Sequence, residues 1–143
     1  MPEFVPYRSE AEIEEVVRRF ESCEYTPDEF VHSRHLTVAA WYFLRLDSKT
    51  AGERMRAGLR RFIRHHRKNG YHVTITEFWL RMVKRALGET RPRESFTTRV
   101  NHLIRNLNDK SLIYKYYTRE RLAAPDSKAS WIEPKLKRIR DER

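Results

Sequence analysis

The chain has 143 residues, 39% of them hydrophobic, which suits one domain (1–143) built around one core. A formal net charge of +10 raises an anionic partner (nucleic acid, a membrane surface or a phosphorylated substrate) beside a merely Arg-rich soluble surface, while the single cysteine, Cys23, excludes an internal disulfide and a thiolate zinc finger and fits a cytoplasmic location. Few glycines, sparse Val and Ile outside helical patterns, no signal-like N-terminus and no apolar stretch longer than Leu36 to Leu44 argue against an all-β fold, a secreted protein and a membrane span.

The elements follow as a series of capped helices. Ser9 and Glu12 form a capping box, and Ile13, Val16, Val17 and Phe20 follow at helical spacing, which predicts a helix from about Glu10 to Ser22. Thr26, Pro27 and Glu29 give a second start, with the helix running to about Leu46. Thr50 and Glu53 open a third helix with the stripe Met55, Leu59, Phe62 and Ile63, ending near Lys68 with Gly70 as its stop. Thr74 and Glu77 repeat the capping pattern before Trp79, Met82, Val83 and Ala86, and Gly88 ends that helix. Ser95 starts a fifth helix with Val100, Leu103, Ile104 and Leu107 inward, and Asp109 caps a last short one. The expected fold is all-α: a bundle of about five to six helices, then an irregular segment over 125–143 ending in a charged tail, Lys135 to Arg143, with Trp131 and Ile132 pinning it to the body.

On the second predicted helix, Val31, His32, His35, Val38, Ala39, Tyr42, Phe43 and Leu46 share one side, opposite Arg34, Thr37, Trp41 and Arg45. Two imidazoles one turn apart on an apolar face need hydrogen-bond partners or a metal ion, and the i, i+3 spacing lets them converge on one. Asp28 and Glu29 precede them as candidate carboxylate ligands or bases, although Glu29 also fits the capping box. His72, just before the fourth helix, is the candidate third ligand, and Glu77 a fourth ligand or base. His102 falls opposite the apolar stripe of its helix, and His65 and His66 end a basic one.

Phe30-x-His32-x-x-His35-Leu36 and Tyr71-His72-x-Thr74-Ile75-Thr76 resemble a family of small, largely uncharacterised bacterial proteins. Tyr116-Tyr117-Thr118-x-x-x-Leu122 and Trp131-Ile132-x-Pro134 are similar to that family's C-terminal pattern, so the resemblance spans Cys23 to Leu136. It implies that His32, His35 and His72 belong to one constellation and supplies no substrate. The chain departs from the pattern in a shorter segment between the third helix and Tyr71, which bears on any pocket near His72.

Two functions compete at this point. The first is a metalloenzyme with His32, His35 and His72 as ligands, a carboxylate from Asp28, Glu29 or Glu77, and Tyr71 or Tyr42 shaping the pocket. Fe, Cu, Ni or Zn suits such ligands. A redox metal points to oxygen-dependent oxidation of a small, anionic molecule, favoured here over the hydrolysis that zinc would bring. The second is a non-catalytic nucleic-acid-binding protein that uses Arg54, Arg56, Arg60, Arg61, Arg64, Arg67 and Lys68, with Lys135, Lys137, Arg138 and Arg140 of the tail. Tyr114, Tyr116 and Tyr117 are candidates for base stacking or for inward packing. A small protein-interaction module without a site is a third reading.

Overall fold

A computed structural model of the chain describes residues 4–139. The end of the basic tail, from Arg140 on, and the first three residues lie outside them. The described residues form α1 (Glu10–Glu21), α2 (His32–Arg45), α3 (Ser48–His65), α4 (Val73–Gly88), α5 (Phe96–Leu107), a 3-10 turn (Lys110–Lys115), α6 (Arg119–Ala123) and α7 (Pro125–Ala129), with no strand among them. The all-α expectation is met. None of these helices is long and apolar enough to cross a membrane.

Local chemistry explains the boundaries. Ser9, Asp47, Ser95 and Asp109 each accept a backbone N–H of the turn they open, satisfying a donor that the helix leaves unpaired. At the ends of α1 and α3, Cys23 (φ 60°) and Arg67 (φ 54°) take the left-handed conformation. There the Glu24 amide donates to the Arg19 carbonyl and the Lys68 amide to the Ile63 carbonyl, which closes a Schellman motif at each end. Gly70 is the expected stop of α3, but Arg67 makes the turn three residues earlier.

α2 starts later than its capping signals imply. Thr26 and Glu29 do form the reciprocal box: the Thr26 amide donates to the Glu29 carboxylate at 2.9 Å and the Glu29 amide to the Thr26 hydroxyl at 3.2 Å. This box closes an isolated turn. Val31 is extended (ψ 168°), and the chain uses the break to bury Phe30 between Phe20, Tyr25 and Phe62. Asp28 therefore lies in the turn before α2 rather than on its face.

α2 is the central helix and packs against α1, α3, α4 and α5. Its burial runs nearly all round, from Leu36 to Ala40 and on to Tyr42. Thr37, on the side the sequence marks as outer, is fully buried because the N-terminal segment folds over it. The Tyr7 hydroxyl lies 2.9 Å from Thr37 Oγ1, and the Tyr7 backbone exchanges two 2.9 Å hydrogen bonds with the Asn101 side chain of α5.

The C-terminal segment closes the other side. Ile132 pins it as the sequence suggests, together with Ser130, through hydrogen bonds made by buried side chains, and Trp131 packs edge-on against Tyr117. The Thr74 hydroxyl donates to the Ser130 carbonyl at 2.9 Å and accepts the Ile132 amide at 3.2 Å, while the Tyr117 hydroxyl donates to the Ile132 carbonyl at 2.5 Å. Tyr116 and Tyr117 pack inward, whereas Tyr114 stays 37% exposed. α7 adds a helical turn beyond Ala124, where the sequence reads as irregular.

Candidate functional site

His32 and His35 occupy the first turn of α2, which has no side-chain cap. His32 Nε2 lies 3.1 Å from the Leu107 carbonyl at the end of α5, and the ring meets Trp79 of α4 edge-on at 4.4 Å. His35 Nδ1 lies 3.2 Å from the Val31 carbonyl, with its ring 4.0 Å from that of Phe30. Burial disfavours both imidazolium forms; it lowers the pKa of His32 and pulls that of His35 down to about 4. Neighbouring Lys110 pushes both the same way, and the carbonyl hydrogen bonds oppose the shift only in part. Both rings are therefore neutral near pH 7, each with its N–H on a backbone carbonyl. That tautomer leaves a lone pair on His32 Nδ1 and on His35 Nε2, neither hydrogen-bonded to a described residue.

His72 is not brought to this pair. It caps α4: Nδ1 accepts the Ile75 amide at 3.1 Å, and Nε2 donates to the Leu122 carbonyl of α6 at 2.7 Å. Both ring nitrogens are occupied, so His72 joins α4 to the C-terminal segment and has no lone pair left for a metal. The expected cap, Thr74, sits inside the helix, its hydroxyl used by Ser130 and Ile132. Among the described residues, no three His, Cys, Asp or Glu side chains are grouped to hold a metal ion.

The other candidates are also placed elsewhere. Glu29 is held in its capping box, where the Thr26 N–H keeps its pKa low. Glu77 forms a two-pronged pair with Arg56 at 2.6 and 2.8 Å. Tyr71 lies under the Arg60 guanidinium at 4.3 Å, and exposed Asp28 has no side-chain partner among the described residues. Tyr42 donates to Glu21 at 2.5 Å and has its pKa raised first by burial and then by that bond. It lines an open cleft of about 520 Å³ between α1, α2 and α3, with Glu14, Trp41, Arg45 and Arg54, and neither histidine of the pair reaches that cleft.

Charge is segregated along the chain. Eight carboxylates and two arginines fall between Glu10 and Glu29, whereas eight cations and the single carboxylate Glu53 fall between Lys49 and Lys68. On α3, Arg60 and Arg64 are exposed one turn apart, and Arg67 and Lys68 extend them past the helix end. None of these four forms an ion pair with a described residue, whereas Arg18, Arg45, Arg56 and Arg121 all do. No family model, curated protein or solved structure matches the chain.

A further feature, which residue types alone do not reveal, begins at Arg60. Besides Arg60 over Tyr71, Arg81 lies over Trp131 at 4.2 Å, Arg119 over Tyr114 at 4.0 Å and the Lys137 ammonium over Tyr116 at 5.4 Å. Each aromatic is distant in sequence from its cation or on a different element, so no local motif announces the pairs.

Proposed function

We propose that this is a polyanion-binding protein whose ligand is nucleic acid, held by the exposed cations at the C-terminal half of α3. The observation that carries the reading is that Arg60, Arg64, Arg67 and Lys68 are exposed and form no ion pair with a described residue. Guanidinium and ammonium groups already paired with carboxylates must break those pairs to meet phosphate; these four need not. Phosphate contacts by such groups release condensed counterions, so affinity should fall steeply with salt.

The test is fluorescence anisotropy of a labelled oligonucleotide across a salt series. Arg60→Gln/Arg64→Gln/Lys68→Gln should reduce the slope of log K against log salt by ~2–3, at about 0.7–0.9 for each phosphate that the variant no longer neutralises. The variant should keep the circular dichroism of the parent and melt within a few degrees of it, since all three side chains are solvent-exposed and the Arg60–Tyr71 contact is worth only about 0.5–1 kcal/mol. An unchanged slope, or no binding at low salt, would overturn the proposal.

The histidine pair supports a second reading, that the protein binds a transition metal through His32 Nδ1 and His35 Nε2. The observation in its favour is that both rings place the opposite nitrogen on a backbone carbonyl, the arrangement that orients metal-binding imidazoles. His72 is not part of this reading, so the remaining ligands would come from solvent or substrate. A redox metal held this way would serve oxidation of a small molecule by oxygen, and zinc would serve hydrolysis. Metal analysis of the purified protein should then find near-stoichiometric metal that is absent from His32→Gln/His35→Gln. Metal retained by that variant, or none in the parent after incubation with Zn²⁺ or Cu²⁺, sinks this second reading.

A further inference from the structure

We infer that the nucleic acid bound by this surface is single-stranded, its bases stacking on guanidinium groups that the fold holds over aromatic rings; this rests on the polyanion reading above. An exposed guanidinium held over a ring keeps a side open to solvent, and the contact with the ring restricts its freedom, so less ordering is needed when a base stacks on it. Arg60 on Tyr71, Arg81 on Trp131 and Arg119 on Tyr114 all have this form, and all three arginines are exposed.

All three platforms are tied to α4: Tyr71 immediately precedes it, Arg81 is on it, and Arg119 is on α6, which His72 bonds to its start. Thr74 and Arg81 lie two turns apart on one face of α4, and that face carries the clamped segment: Thr74 holds Ser130 and Ile132, and Arg81 covers Trp131 between them. His72 ties the same end of α4, next to Tyr71, to Leu122 of α6, three residues after Arg119. The α3 cations stand at the Tyr71 end, because Arg60 is both the first of them and the cover of Tyr71. A strand laid from α3 toward Trp131 would meet phosphate-binding groups and then stacking groups. Duplex bases are stacked on one another and cannot use these platforms, whereas a single strand can.

The experiment compares a fluorescein-labelled 20-nucleotide single strand with its own duplex, against the full chain and against Arg81→Lys/Arg119→Lys. The variant keeps both charges and removes both planes. The expected result is at least tenfold tighter binding of the single strand by the parent. The variant should lose at least fivefold of that affinity with its salt slope unchanged and its duplex affinity unaffected. Equal affinity for both forms, or a variant that binds the single strand as the parent does, overturns the single-strand inference and leaves the polyanion reading standing. Absence of salt-dependent binding to either form overturns both.

Discussion

Stability against urea should fall by about 3 kcal/mol between pH 7 and pH 4 on account of His35. The fold buries this imidazole in its neutral form and lowers its pKa from 6.5 to about 4, chiefly through burial, with His32 and Lys110 nearby adding to the shift. Between those two pH values the unfolded chain carries a proton on His35 that the native chain does not. The stabilisation is therefore complete above pH 6.5, is lost as the pH falls toward 4, and changes no further below that. His32, whose pKa is also lowered, acts in the same direction. The carboxylates with lowered pKa, such as Glu29, Asp47 and Asp126, lose their contribution at lower pH, as they protonate. Urea titrations at pH 7, 6, 5 and 4 separate the two windows. His35→Gln should flatten the upper one by more than half; a variant as acid-sensitive as the parent in that window would show that the imidazole is not buried neutral.

The same histidines show what could be read from sequence alone. The spacing of His32 and His35 places both on the partly buried first turn of α2, and the need of such an imidazole for a partner is met by the Leu107 and Val31 carbonyls. The Leu107 carbonyl cannot be named from the sequence, because it belongs to a helix end 75 residues away, whereas the Val31 carbonyl lies only one turn before His35. His72 fails for a different reason. A capping pattern is legible at Thr74 and Glu77, yet an imidazole Nδ1 accepts an amide as well as a hydroxyl does, and the helix begins one residue before Thr74. Thr74 and Glu77 are then free for the Ser130–Ile132 clamp and for Arg56. Helix starts capped by Ser or Asp at Ser9, Ser95 and Asp109 follow local chemistry and lie at their signals, whereas α3 is capped by Asp47, three residues before the expected Thr50, whose amide Asp47 accepts. The start of α2 does not lie at its signals, because burying Phe30 outweighs continuing the helix from Thr26. The exposed stripe on α3 is legible as composition, but the unpaired state of its cations depends on where the carboxylates fold.

The largest single-site loss of stability is expected at Phe20, where truncation to alanine should cost about 3–5 kcal/mol. Its ring is fully buried, stacks on Phe30 at 4.7 Å and Phe62 at 6.0 Å, and joins α1 to α3 and to the turn before α2. Gly58 of α3 makes this packing possible. A Cβ there would sit 2.6 and 2.8 Å from Phe20 Cε2 and Cζ, well inside van der Waals contact. The ring cannot retreat, since Phe30 and Phe62 flank it. Helix propensity favours alanine over glycine by about 1 kcal/mol in a helix interior, so the two effects oppose each other at this position. Overpacking of a closed core costs about 1–3 kcal/mol and should prevail, making Gly58→Ala destabilising. In a Phe20→Leu background the ring atoms are gone, and the same Gly58→Ala change should become neutral or stabilising by up to about 1 kcal/mol. A double-mutant cycle by urea denaturation reads this directly as a change of sign. If Gly58→Ala stabilises the parent protein, α1 and α3 do not approach through Phe20 and Gly58. If it destabilises both backgrounds equally, the cost lies in the backbone of α3 and not in the ring.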